Sequence, residues 1–162
     1  MKYRNVSACA GMSFLAVALA ACSGGEGGGS DEAPKIEPFL WAEKPAYCAF
    51  LPSGTKFNVA DRSTWEFVFV TQPEPGDDLA AAPALMQLDG RQVRLMRNLS
   101  APGSGPQTWV YRDEGSMLEI ELKLESPAIE MGGSTGGPQN ATLRVRGPVR
   151  GKVQEVRGGC GL

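Results

Sequence analysis

The chain has 162 residues, with 16 Lys and Arg against 18 Asp and Glu, four cysteines and no histidine, a length for one domain or two small ones. Without histidine there is no Ser-His-Asp or Cys-His nucleophile, no imidazole base and no histidine metal ligand. A composition 42% hydrophobic and 21% charged excludes both a disordered polyelectrolyte and a multi-span membrane protein.

Lys2 and Arg4 form a short positive head, followed by an uncharged run from Val6 to Ala21 that is most apolar from Met12 onward. This is the pattern of a signal peptide, and it falls short of the roughly 20 residues needed to cross a bilayer. The run closes on Leu19-Ala20-Ala21-Cys22, which resembles the lipobox of bacterial lipoproteins. That resemblance implies diacylglycerol on the Cys22 sulfur, cleavage of residues 1–21, acylation of the new amine and a lipid-anchored place in the cell membrane. In a diderm host, Ser23 in place of Asp implies the outer membrane, facing the periplasm. Val6-Ser7-Ala8-Cys9 has no apolar run upstream of it, so Cys9 belongs to the discarded leader. One acyl chain anchors only marginally at about 0.8 kcal/mol per buried CH₂, whereas two or three hold a protein in the bilayer.

Residues 22–35 read as a tether. Ser23 to Ser30 is a Gly/Ser run broken only by Glu26; it has no apolar surface to bury and is expected to be a flexible coil. Fourteen such residues span roughly 20 Å on average and roughly 46 Å when taut. Removing residues 1–21 takes Lys2 and Arg4 and no acid, leaving 14 bases against 18 acids, a net charge of −4. That balance disfavours a nucleic-acid partner. With Cys9 cleaved and Cys22 acylated, Cys48 and Cys160 remain, and an even pair in an exported domain points to a disulfide. Closing a loop of about that size is worth roughly 4.7 kcal/mol in the chain-entropy model. A redox pair would show Cys-x-x-Cys spacing, and none occurs.

Residues 36–162 carry strand signals. Trp65 to Val70 is aromatic and β-branched, apolar on both faces, and closed by Gln72-Pro73-Glu74-Pro75-Gly76, as a central buried strand would be. Asp77 to Leu85 suits at most one helical turn behind an Asp cap, because Pro83 stops it. Asp89-Gly90 suits a two-residue type I′ turn. Such a turn sets Leu88 opposite Arg91, Gln87 opposite Gln92, Met86 opposite Val93 and Leu85 opposite Arg94. One register then gathers Met86, Leu88, Val93 and Leu95 on a single face. A Pro/Gly loop leads into Thr108-Trp109-Val110-Tyr111. Leu118, Ile120, Leu122 and Leu124 alternate with Glu119, Glu121, Lys123 and Glu125, giving a strand with one wet face. After a glycine-rich loop from Ser126 to Asn140, Leu143 and Val145 alternate with Thr142, Arg144 and Arg146, and Val149 and Val153 continue beyond Gly147-Pro148. The expectation is an all-β domain, a small antiparallel barrel or sandwich of about seven short strands.

Residues 113–130 carry six acids and one base, whereas residues 141–157 carry five bases and one acid. Opposite charges across an antiparallel pair contribute roughly 0.2–1 kcal/mol each, so these segments are expected to be neighbours. The alternative sets Arg144, Arg146, Arg150, Lys152 and Arg157 outward as a stripe that binds an anion or a protein partner. Glu119 and Glu121 share a strand face at about 7 Å, a separation a glycosidase could use, but a solvated face requires such residues anyway. Asp77-Asp78 with Glu74 lacks calcium-loop spacing. No catalytic residue, metal ligand or cofactor is assigned.

Tyr47-Cys48, the Leu88-Asp89-Gly90-Arg91 hairpin, the Ser100 to Gly105 loop ahead of an aromatic strand and a cysteine near the C-terminus are together similar to the membrane-bound inhibitors of C-type lysozyme. That resemblance implies a disulfide-closed antiparallel barrel which plugs the lysozyme cleft with a loop serine and a lysine from the next strand. Residue by residue, the serine is Ser104 or Ser100 and the nearest lysine is Lys123. The family's Lys-Gly turn is replaced here by Arg112-Asp113-Glu114-Gly115. The functional expectation is a lipid-anchored, non-enzymatic module binding an envelope protein, the alternative being occlusion of a hydrolase active site.

Overall fold

A computed structural model of the chain describes residues 32–41, 46–74, 76, 78–126 and 138–161. The leader, the lipobox with Cys22, the tether as far as Asp31, the proposed cap Asp77 and most of the glycine-rich loop after Ser126 lie outside the described residues. The strands are β1 (Ile36–Glu37), β2 (Phe39–Leu40), β3 (Cys48–Pro52), β4 (Glu66–Phe67), β5 (Phe69–Thr71), β6 (Ala84–Leu88), β7 (Arg91–Arg97), β8 (Thr108–Arg112), β9 (Glu119–Leu124), β10 (Gln139–Gly147) and β11 (Gln154–Cys160).

The Asp-Gly turn organises the best-specified part. Asp89 and Gly90 take φ values of 47° and 74°, the two positive angles of a type I′ turn. The ladder between β6 and β7 runs Leu88↔Arg91, Gln87↔Gln92, Met86↔Val93 and Leu85↔Arg94, the register expected from the side-chain pattern. Around the molecule the order is β6-β5-β3-β11-β10-β9-β8-β7, and β7 returns to β6. The sheet is therefore an eight-stranded antiparallel barrel, and closure rather than a second packed sheet removes its edges. β1 lies on β6 beyond the end of β5, through Ile36↔Leu88 and Glu37↔Gln87. β2 pairs only with β4, through Phe39↔Phe67 and Leu40↔Glu66.

Two apolar clusters result. Inside the barrel, Phe50, Phe69, Met86, Leu95, Tyr111, Ile120, Leu122, Leu143 and Val156 are buried together. Outside it, Phe39, Trp41, Phe67 and Val70 pack over Ala49, with Leu51, Trp65 and Leu85 at the margin. This second cluster explains why Trp65 to Val70 is apolar on both faces: Phe69 points in, while Phe67 and Val70 lie under the N-terminal segment.

The single turn expected ahead of Pro83 is a 3-10 turn at Leu79–Ala81, after which the Ala84–Leu88 alternation joins the barrel as β6. One expectation needs correction. Val153 does not continue an apolar face; it is largely exposed in the connection ahead of β11. The Gly158-Gly159-Cys160 segment is the last stretch of β11, paired with β3 from Val156↔Pro52 to Cys160↔Cys48. The Cys48–Cys160 disulfide joins that final register pair across 112 residues of sequence.

Because all barrel neighbours are antiparallel, the connections alternate between two ends. Segments 53–65, 89–90, 113–118 and 148–153 lie at one end. The connections after β5, β7 and β9 lie at the other, with the disulfide. The segment ahead of β1 joins the first end: Lys35 donates its backbone N–H to Asp89 Oδ1 at 2.9 Å and accepts from the Asp89 N–H at 3.1 Å. Glu37 accepts from the Gly90 N–H at 2.8 Å and pairs with Lys35 Nζ at 3.1 Å.

Candidate functional site

The sequence-selected residues converge on the outer face of β8, β9 and β10 and on the loop that precedes β8. Alternation settles which side each presents. Trp109 and Tyr111 face Leu122 and Ile120 inside the barrel, so Val110, Glu121, Lys123 and Arg144 face outward. Lys123 lies between Thr108 of β8 and Thr142 of β10, and Glu121 between Val110 and Arg144.

The acidic and basic segments are neighbours, as their charges suggest. Arg144 Nη2 meets Glu121 Oε1 at 2.5 Å, and Arg146 stands 3.9 Å from both Glu119 and Glu121. All four side chains are mostly buried. Val110, opposite Glu121, has no exposed surface although it points out of the barrel, so this patch is covered rather than solvated. The Arg144 Nε and Arg146 Nη1 atoms are buried without a hydrogen-bond acceptor. Two guanidinium groups answered by two carboxylates leave the patch nearly neutral. Glu119 and Glu121 are each tied to a cation rather than standing apart as a pair of carboxyls.

Ser104 is half-buried in the β7–β8 loop, where its N–H donates to the Ala101 carbonyl at 2.9 Å. That loop closes on Thr108, the register partner of the exposed Lys123, and the Leu124 N–H donates to the Gln107 carbonyl at 2.7 Å. The fold thus brings Ser104 and Lys123 to the same end of the barrel. Arg144 and Arg146 sit further down the face. Ser100 is exposed at the start of the loop and donates its N–H to Asn98 Oδ1 at 3.2 Å.

Several contacts between charged and aromatic groups escaped the sequence reading. Arg97, the last residue of β7, lies 4.3 Å from the centre of the Trp109 ring, a cation–π contact at the mouth of the barrel. Burial pushes the Tyr111 phenol well above its ordinary value, with Arg97 drawing it partly back. In the 53–65 loop, Asp61 accepts from the Ser63 hydroxyl and N–H at 2.6 and 3.0 Å, and these bonds hold its carboxyl below the ordinary value. The Trp65 indole donates to the Asn58 carbonyl at 3.1 Å. Among the described residues no three His, Cys, Asp or Glu side chains are grouped to hold a metal ion. No protein family, curated protein or solved structure matches the chain.

Proposed function

We propose that the chain is a bacterial envelope lipoprotein, acylated on Cys22, whose barrel is a non-enzymatic binding module held on a tether. The observation that carries this reading is the Leu19-Ala20-Ala21-Cys22 sequence closing an apolar run behind Lys2 and Arg4. The barrel supports it in two ways. Its N-terminal strand is fastened to one end through Lys35, Glu37 and Asp89, so a lipid anchor holds the domain by a defined pole. The internal disulfide suits an exported protein. Mass spectrometry of the mature N-terminus tests the proposal: a diacylglyceryl-modified Cys22 is expected, and an unmodified chain in the aqueous fraction overturns it.

A second reading is favoured by the placement of Ser104 and Lys123 at one end of a disulfide-closed barrel. On that reading the β7–β8 loop occludes a lysozyme-type cleft, with Lys123 supplying a cation. The purified protein would then inhibit a C-type lysozyme, and Lys123→Ala would weaken the inhibition; no effect of the unmutated protein at micromolar concentration removes the reading.

A further inference from the structure

The two ends of the barrel differ in chemistry. At the end where the tether attaches, four large apolar side chains on three separate loops stand in solvent: Phe57 and Val59 at 45% and 74% exposed, Met117 at 68% and Val153 at 57%. None belongs to either buried cluster. Phe57 stands 6.1 Å from the rings of both Trp65 and Phe67, and Arg62 lies 5.7 Å over Trp65. Tryptophan beside arginine is a side-chain pair suited to the boundary between water and acyl chains.

The loops at the tether end carry Lys56, Arg62, Arg150 and Lys152 against Asp61, Asp89, Asp113 and Glu114, which balance, so these loops meet an anionic leaflet without net repulsion. At the opposite end, where Leu79 and Leu99 are also exposed, the described loop acids Glu74, Asp78 and Glu125 stand near Arg97 and Lys123 at the strand ends.

We infer that the tether end is a lipid-contact surface, with Phe57, Val59, Met117 and Val153 inserted at headgroup level and the barrel axis standing away from the bilayer. This rests on the acylated-lipoprotein reading above and adds an orientation to it. The tether supplies the reason why a few side chains suffice. A short flexible linker holds its cargo at an effective concentration in the millimolar range, so a surface too weak to bind vesicles unaided is occupied once Cys22 is anchored. The opposite end, with Ser104 and Lys123, is then presented to whatever approaches the membrane.

The test uses the acylated full-length mature chain in vesicles of phosphatidylethanolamine and phosphatidylglycerol. An environment-sensitive fluorophore is placed on Val59→Cys, Met117→Cys or, as a control at the other end, Leu99→Cys. The expected result is a blue-shifted, brightened emission at positions 59 and 117 on reconstitution and an unchanged one at 99. An anchored chain whose probes at 59 and 117 stay aqueous overturns the inference and leaves the anchoring intact. Probes that stay aqueous in vesicles but shift in native envelopes overturn it in favour of a protein partner. A chain that washes off the vesicles overturns both readings.

Discussion

Gly158 offers the sharpest test of how β11 closes the barrel. An alanine Cβ at this position would lie 1.9 Å from the Ala49 carbonyl oxygen and 2.7 Å from the Phe50 Cα. These are backbone atoms of β3, so no side chain can rotate away. Reaching 3.0 Å, below which such contacts essentially never fall, requires β11 and β3 to part locally by 1.1 Å. Ladder hydrogen bonds near 2.9 Å would stretch to about 4 Å, beyond bonding distance. The affected register is Arg157↔Leu51, Gly158↔Phe50 and Gly159↔Ala49. Losing about three bonds at roughly 1 kcal/mol each costs about 3 kcal/mol. In a domain of this size that lowers Tm by roughly 12 °C. The neighbouring disulfide keeps the strands from separating entirely, so the variant should unfold cooperatively at the lower temperature. Thermal unfolding followed by tryptophan fluorescence under non-reducing conditions measures the shift, with Gly105→Ala as a control because its Cβ meets nothing within 4 Å. A Tm for Gly158→Ala within about 2 °C of the parent, the equivalent of roughly 0.5 kcal/mol, would refute the claim that β3 fills the space a side chain needs.

Replacing both Cys48 and Cys160 by serine should lower stability by up to roughly 4.7 kcal/mol, since the bond closes a loop spanning 112 residues; urea titration reads this as a lower midpoint. Glu121→Ala should cost about 1–2 kcal/mol, because it leaves the mostly buried Arg144 and Arg146 with only Glu119 nearby. Glu119→Ala should cost less, and a double-mutant cycle with Arg144→Ala isolates the Glu121 term. The Glu37 carboxyl is held below its ordinary 4.5 by Lys35, then by the Gly90 N–H. Its contribution to stability is therefore complete above pH 4.5 and fades as pH falls through the lower folded-state value. A carboxyl NMR titration should place the Glu37 midpoint under 4.5, and a midpoint at or above 4.5 would contradict the assignment.

What the sequence disclosed depended on how local the determining interactions are. The Leu85–Arg94 register needed only a turn type and a period of two, and both lie within ten residues. The pairing of β9 with β10 could be anticipated because Glu119 and Glu121 face a strand carrying Arg144 and Arg146, a complementarity that survives the intervening loop. Barrel and sandwich could not be told apart beforehand, since closure rests on β3 and β11 meeting from Val156↔Pro52 to Cys160↔Cys48, a pairing across 112 residues of sequence with no local signature. The final strand was hidden by its own composition. Gly158 and Gly159 suggest a chain end, yet glycine inside a strand also marks a close backbone approach, and that is their role beside Ala49 and Phe50. β1 and β2 were unreadable because Pro38 splits them into two-residue strands, one on β6 and the other on β4. At the candidate site, the opposition of the charges was foreseen from the sequence but their burial was not. That required seeing Val110 buried on the outward face. The Arg97–Trp109 contact joins two strands across a loop, and nothing in either segment foretells it.

The disulfide has a bearing on survival among proteases. It clips the first strand of the barrel proper to the last, so a single cut in any connection between residues 48 and 160 yields two fragments still covalently joined and still sharing the β3–β11 ladder. Cleavage ahead of residue 46 would release the N-terminal segment without opening the ring. A nicked molecule would therefore run as one band until a reductant is added, and the vulnerable step in its turnover is reduction of a buried sulfur pair rather than the first hydrolysed peptide bond.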